Sequence, residues 1–187
     1  MARRVSVVLG VALLAGSLAA AMLSQAGLGG SDRVQIGTGS VSALARAGKS
    51  ADALPSSVLS YPFAAHNFAN QTGGGSRLVK SDGSLGLYAV PGKGGLVCLI
   101  EVDEVADTAG GACADRRVLL TGSIYMADRQ DDGSRQVVGL VGDGHTYAEA
   151  GGQRTRVENN VFVLRNVDTD VVKIGSATAE QTVEIGD

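Results

Sequence analysis

Short apolar runs alternate with turn-forming residues along the chain from Arg77 onward. The runs are rich in Val, Ile and Leu, and Gly, Asp, Asn or Ser separates one from the next. Runs of this kind predict β-strands. Asp-Gly and Gly-Gly between them predict hairpin turns at residues 80–84, 131–134 and 150–153, because these residues accept a positive φ. The runs interpreted as strands are RLV, LGLYAV, GLVCLIEV, RRVLLTG, SIYMA, RQVVGLV, HTYAEA, RTRVE, VFVLRN, DVVKIG and QTVEIG.

The spacing of these runs predicts a mainly β fold, either an antiparallel sandwich or a small open barrel. No stretch here keeps a helical period, which disfavours alternating strands and helices. In the run at residues 96–102, Cys98 and Ile100 share one face of the strand. Val97 and Leu99 share the other face, so both faces are apolar. We therefore expect a central strand that directs Cys98 into the core.

An apolar segment begins the chain, where Arg3 and Arg4 precede an uncharged run at residues 5–23. Two interpretations of residues 1–26 stay open. The small residues in Ser24-Gln25-Ala26 suit cleavage as a signal peptide. The length, near the ~20 residues that span a bilayer, suits an uncleaved signal anchor. Either way, the positive-inside rule places the rest of the chain outside the cytoplasm, secreted or held at the membrane by one N-terminal helix.

Residues 27–75 have little regular pattern and are interpreted as a partly ordered linker ahead of a β-domain at residues 76–187. One short helix is possible within the linker, with Ser40 as its N-cap. Its apolar positions would be Val41, Leu44 and Ala45, with Gly48 at its end. Prolines and a Gly-rich stretch at residues 72–76 interrupt the rest of the linker.

Residues 61–70 of this linker form the most aromatic part of the chain and contain His66. One interpretation is a recognition segment through which the protein docks on a membrane protein. The other is a segment that folds against its own sheet and covers an edge or an apolar patch.

The only two cysteines of the chain are Cys98 and Cys113. A redox centre would normally show Cys-x-x-Cys, and His66 and His145 lack the spacing of a finger-type zinc site. An exported domain lacks the cytosolic reductants, so the pair is expected to close as a structural disulfide. Two free buried thiols, or metal or redox chemistry, are the remaining alternatives.

The charge pattern argues against nucleic acid as a partner. Without Arg3 and Arg4, the 16 basic residues fall to 14 against 19 acidic residues, a net charge of −5. The basic residues are scattered, with only Arg116 and Arg117 adjacent within the remaining chain. A nucleic-acid-binding protein would concentrate positive charge on one face.

The densest polar cluster contains Asp143, His145, Tyr147 and Glu149. In a strand that begins at His145, alternate residues share one face and could converge on a ligand. Asp143, His145 and Glu149 are therefore a weak candidate site for a metal or for acid–base chemistry. The alternative is a Gly-Asp-Gly turn followed by a strand whose polar residues face solvent. No nucleophile elbow or phosphate loop is present in the sequence, so no catalytic residue is assigned and neither a metal nor a cofactor is expected.

Several short segments of the chain form an ordered series. They are Ala-Asp-Ala-Leu-Pro at 51–55, Ser-Arg-Leu-Val at 76–79, Val-Pro-Gly at 90–92, Cys-Leu at 98–99, Gly-Gly-Ala-Cys at 110–113, Gly-Leu-Val-Gly-Asp-Gly-His at 139–145 and Asn-Asn-Val-Phe at 159–162. In content and order this series resembles a group of exported actinobacterial proteins that have no assigned function. The chain departs from the group at Gly142, where the group has proline, and at His145, where the group has an aliphatic residue. The resemblance implies an actinobacterial envelope setting and no particular activity.

These observations lead to the expectation of a non-enzymatic, extracytoplasmic β-domain that binds or scaffolds an envelope component of unknown identity. The first alternative is a small metal-assisted hydrolase that uses Asp143, His145 and Glu149. The second is a regulatory partner of a membrane protein that docks through residues 61–70.

Overall fold

A computed structural model describes residues 40–68, 75–130 and 132–185. The predicted signal peptide or anchor at residues 1–26 lies outside the described residues, as do residues 27–39 and 69–74 of the predicted linker. No helix among the described residues is both long enough and apolar enough to cross a bilayer.

The described part of the chain contains short helices followed by eleven strands. The helices are α1 (Ser42–Ala45), α2 (Ser56–Leu59) and α3 (Pro62–Asn67), with 3-10 turns at Ser50–Asp52, Lys93–Gly95 and Arg116–Leu120. The strands are β1 (Arg77–Asp82), β2 (Leu85–Pro91), β3 (Leu96–Asp103), β4 (Thr108–Asp115), β5 (Ser123–Arg129), β6 (Arg135–Val141), β7 (Tyr147–Ala150), β8 (Gln153–Arg156), β9 (Val161–Val167), β10 (Val171–Gly175) and β11 (Glu180–Glu184).

The strands form three antiparallel sheets, which confirms the predicted mainly β fold. The first sheet has the order β1-β2-β3-β4, the second β5-β6-β9 and the third β11-β10-β7-β8. The predicted hairpin turns join β1 to β2, β5 to β6 and β7 to β8. In the third of these turns Gly151 and Gly152 have φ values of 56° and 77°, which side chains other than glycine rarely adopt.

The second sheet lies between the other two and is buried on both faces. Val138 and Leu140 of β6 belong to the same core as Leu99 of the first sheet. Their neighbours on the strand, Val137 and Val141, pack with the third sheet. Alternate side chains of β6 therefore pack into two different cores, one on each face of the second sheet. This layering is consistent with the predicted sandwich.

Strand β3 is central in the first sheet, as predicted, because it pairs with β2 on one side and with β4 on the other. Val97 and Leu99 face the second sheet. Cys98 and Ile100 face the opposite way, toward the helical segment. Both faces of the strand are buried, which explains its nearly continuous apolar sequence.

One prediction about the region after β3 is wrong. RRVLL is a 3-10 turn and not a strand, and the Asp115 side chain caps it by accepting a hydrogen bond from the Arg117 N–H at 2.9 Å. Residues 108–111, which were not among the predicted strands, belong to strand β4. The tip of this hairpin is residues 104–107.

The segment at residues 40–68, which the sequence analysis placed in a linker, packs against the first sheet. Its predicted short helix is α1, with Val41 rather than Ser40 at the N-cap. Within residues 61–68, the Phe68 side chain is fully buried and the segment folds against its own sheet. The apolar residues of the segment that share a core with the sheet are Leu54, Val58, Ala64 and Phe68.

The same segment closes the outer edge of β1 with an ion pair. The Leu78 N–H donates to Asp52 Oδ1 at 2.9 Å, and the Leu78 carbonyl accepts from the Arg46 guanidinium at 3.0 Å. Arg46 and Asp52 are themselves joined by two hydrogen bonds of 2.5 and 2.7 Å. The two side chains thus occupy the position that a neighbouring strand would fill.

Candidate functional site

The two cysteines lie directly opposite each other on adjacent strands. Cys98 of β3 pairs in register with Cys113 of β4, and their Cα atoms are 4.0 Å apart. The disulfide is formed and Cys98 is fully buried. This confirms the predicted disulfide over the alternative of two free thiols.

Asp143 lies in the turn between β6 and β7 and holds the start of the helical segment. Its Oδ1 accepts hydrogen bonds from the Ser42 N–H at 3.0 Å and from the Asn160 side-chain amide at 2.8 Å. Burial by itself raises the pKa of the Asp143 carboxyl, but these hydrogen bonds outweigh burial and the pKa is lowered. The carboxylate is therefore ionised and engaged in tertiary contacts.

His145 is buried in the same turn, and both nitrogens of its ring are engaged. Nδ1 donates to the Gly142 carbonyl at 2.9 Å, and Nε2 lies 3.0 Å from the side-chain amide of Gln181 on β11. In the orientation that turns its oxygen toward His145, the Gln181 amide also donates to the Thr121 carbonyl and accepts from the Gly122 N–H. His145 thus connects the turn to the third sheet, and neither ring nitrogen is open to a ligand.

Glu149 lies on the outer face of the third sheet, apart from the other two candidates. Its carboxylate is 3.9 Å from the Arg154 guanidinium, which also stacks 3.6 Å over the Tyr147 ring. Strand β7 begins at Tyr147 and not at His145. His145 therefore lies in the turn before the strand, whereas Glu149 lies on the strand, and the two side chains have different surroundings. Among the described residues, no group of three or more His, Cys, Asp or Glu side chains is arranged to hold a metal ion.

Asn160 is the residue of this region that sequence reasoning missed. Its side chain accepts hydrogen bonds from Ser42 Oγ and the Ala43 N–H, and donates to the Val141 carbonyl. It adopts the left-handed conformation, with φ at 68°, as expected for an Asn-Asn turn. The preference for a positive φ was visible in the sequence. The partners were not, because Ser42 and Ala43 are far away along the chain.

A surface cleft of about 140 Å³ lies between the helical segment and the tip of the β3–β4 hairpin. The run EVDEVADT, with four acidic residues at 101–108, is the sequence feature that could have indicated this cleft, but the opposite wall comes from the segment interpreted as a linker. One wall contains Pro55, Ser57 and Tyr61, and the other contains Asp103, Glu104 and Asp107.

The cleft is acidic, and one exposed apolar side chain lines it while a second lies next to it on the hairpin tip. Among the residues that the structure describes, none that lines the cleft is Lys, Arg or His. Tyr61 is 39% exposed and Val105, at the hairpin tip, is 86% exposed. These two are the exposed large hydrophobic residues of the described part of the chain. An apolar surface beside concentrated acidic charge is typical of a binding surface.

Tyr88 lies beneath this end of the hairpin. Burial raises the pKa of the Tyr88 hydroxyl, and the nearby carboxylates of Glu104 and Asp52 raise it further. The ring is 95% buried over Gly86, since Tyr88 is 5% exposed and its Cε2 lies 2.9 Å from the position of a Gly86 Cβ. The raised pKa keeps the Tyr88 phenol protonated at neutral pH.

No protein family, curated protein or solved structure matches the chain.

Proposed function

We propose that the chain is a non-enzymatic, extracytoplasmic β-domain that binds or scaffolds a component of the cell envelope. It is secreted or held at the membrane by its N-terminal apolar segment. The sequence resemblance to exported actinobacterial proteins supports the same setting. The fold that carries this role is a layered antiparallel sandwich.

The observation that carries the proposal is how the candidate catalytic groups are used. The Asp143 carboxylate accepts from Ser42 and Asn160, and both nitrogens of His145 are engaged. A general base or a metal ligand needs an accessible lone pair directed at the substrate. Here these groups connect distant parts of the fold, which is a structural use.

The disulfide supports the proposed location outside the cytoplasm. Structural disulfides persist in oxidising environments and are rare in the reducing cytosol. Cys98 and Cys113 join two strands that are already paired, where the bond supports the fold.

Binding of the oxidised full chain to isolated envelope fractions tests the binding half of the proposal. We expect saturable binding to a peptidoglycan, lipid-linked glycan or membrane-protein fraction, and no turnover on a hydrolase and transferase panel. Robust turnover on that panel contradicts the non-enzymatic half.

Measuring bound metal by elemental analysis, on protein purified without a His tag, distinguishes the proposal from the alternative of a metal-assisted hydrolase. Stoichiometric zinc that is lost in His145→Ala would support an enzyme and contradict the proposal. His66→Ala, at an exposed position of α3, is the matched control.

A further inference from the structure

The cleft beside the hairpin tip carries an inference that rests on the proposed binding function and goes further by naming the chemistry of the partner. Its two walls come from parts of the chain that are far apart in sequence, Pro55 to Tyr61 and Val102 to Ala109. The charge and the apolar surface of these walls, and the exposed edge of β4, each restrict what can bind.

The charge of the cleft selects a cationic group. Asp103 is engaged in the hairpin turn, since its Oδ1 accepts from the N–H groups of Val105 and Ala106 at 3.0 and 3.1 Å. The carboxylates of Glu104 and Asp107 have no hydrogen bond or ion pair with any described residue. Two carboxylates on one rim, with no basic residue among the described residues that line the cleft, complement a Lys or Arg side chain.

The apolar part of the cleft requires more than a free cation. Tyr61 lines the cleft, and Val105 stands next to it on the hairpin tip, between Glu104 and Asp107 in the sequence. Both leave apolar surface exposed to water. An aromatic ring beside carboxylates contacts the methylene chain of a Lys or Arg side chain while the charged head stays with the carboxylates. A neighbouring apolar residue of the partner would cover Val105.

The first residues of β4 add a backbone contact. The short Cα–Cα distance of 4.0 Å marks Cys98–Cys113 as a non-hydrogen-bonded pair, and the alternation makes Val102–Ala109 another. The N–H and C=O of Ala109 therefore point away from β3, on the outer side of an edge strand. Ala109 lines the cleft, so an extended chain lying there can pair with its backbone.

We propose that this cleft binds an extended segment of a partner protein in which a Lys or Arg lies beside an apolar residue. The basic head lies between Glu104 and Asp107, the apolar side chains lie against Tyr61 and Val105, and the backbone of the segment pairs with Ala109.

The test is a fluorescence-anisotropy titration of the oxidised full chain with a labelled, end-blocked peptide of alternating valine and lysine. The comparison probes are the same peptide with glutamate in place of lysine, and lysine amide alone. We expect the lysine peptide to bind at least about tenfold more tightly than either comparison probe, and to weaken as salt rises.

Two sets of variants locate the binding. Glu104→Gln with Asp107→Asn should weaken the lysine peptide by about tenfold, and Tyr61→Ala should weaken it by about fivefold. Asn tolerates the positive φ of 49° at Asp107, so the double variant keeps the hairpin turn. The charge-matched control is Asp168→Asn with Glu184→Gln, at exposed positions in the β9–β10 connection and on β11, and should leave the affinity unchanged.

Three outcomes overturn the inference: no binding at millimolar peptide, equal binding of the glutamate peptide, or equal weakening by the control pair. The proposed function fails separately, through turnover or through the absence of any envelope ligand. If the cleft variants still bind envelope fractions as the unaltered chain does, the inference fails and the proposed function stands.

Discussion

The side-chain amide of Asn160 donates a hydrogen bond to the Asp143 carboxylate across 2.8 Å, and this pair fixes the beginning of α1 to the sheets. Asp143 accepts from the Ser42 N–H, while Asn160 accepts from the Ala43 N–H. A helix of four residues has little stability of its own, so these contacts determine where it lies. The densest polar cluster of the sequence is thus a junction between elements.

Replacing Asn160 should separate its side-chain contacts from its backbone conformation. Asn160→Ala removes the hydrogen bonds and forces alanine into a positive φ, at a cost of about 3 kcal/mol in the free energy of unfolding. Asn160→Gly removes the same hydrogen bonds but tolerates the conformation, so we expect it to lose about 1 kcal/mol less. Urea unfolding measures both variants, and equal losses would contradict the backbone contribution.

Acid should reduce the stabilisation that Asp52 gives to the folded state. Hydrogen bonds from Arg46, followed by those from Lys49 and Leu78, hold the pKa of the Asp52 carboxyl far below its ordinary value in spite of burial. A pKa that is lower in the folded state means that the stabilisation is complete above the unfolded pKa of about 4. It is lost as the pH falls below that value.

The thermal midpoint should therefore fall between pH 5 and about pH 2.5 for the unaltered chain, and less steeply for Asp52→Asn. Asp168→Asn, at an exposed carboxylate, is the control and should keep the unaltered slope. Identical slopes for all three proteins would show that Asp52 does not control the acid response.

Ionised Glu101 should destabilise the fold, in contrast to ionised Asp52. It lies on the same face of β3 as Val97 and Leu99, and burial raises the pKa of its carboxyl, with Asp128 and Asp103 raising it further. Because the folded pKa exceeds the unfolded pKa, its contribution to stability decreases as the pH rises through these values. Glu101→Gln should thus increase the thermal midpoint at pH 7 and have little effect at pH 4. A fall at pH 7 would contradict this, and Glu184→Gln is the exposed control.

Removing the disulfide should weaken the fold without changing it. Cys98 and Cys113 are 15 positions apart, and cross-linking a loop of this size contributes about 3 kcal/mol in the chain-entropy estimate. The double variant Cys98→Ala/Cys113→Ala should unfold at lower urea concentration with an unchanged far-ultraviolet spectrum. Alanine is preferred to serine, because Cys98 is fully buried and a hydroxyl there would lose its hydration. A loss below about 0.5 kcal/mol would show that the paired strands already constrain the loop.

The sequence was sufficient to predict the strands that alternate aliphatic residues, because burial on a pleated surface determines that pattern. Strand β4 was missed because Gly and Ala have low strand propensity. The reason for glycine there is tertiary: a Cβ at Gly111 would lie 2.6 Å from Ile100 Cδ1 and 3.0 Å from the Phe63 ring. The small residue lets α3 pack on the sheet, and no local pattern contains that information.

The candidate site was predictable only as a list of polar residues. Their alternation in sequence suggested that His145 and Glu149 converge, but the strand begins after His145 and directs Glu149 to the outer face. The cleft escaped prediction for a related reason, because one of its walls lies in a segment without regular pattern. Contacts between residues about 50 positions apart depend on the whole fold.

The ion pair of Arg46 and Asp52 has a practical consequence for the choice of fragments of this protein. A fragment that begins at Ser76 would expose the peptide groups of Leu78 and the apolar surface that Leu54, Val58 and Phe68 now cover. Exposed strand edges of this kind pair with one another, so such a fragment should form oligomers or precipitate. A chain that retains residues 40–68 should not associate through the edge of β1.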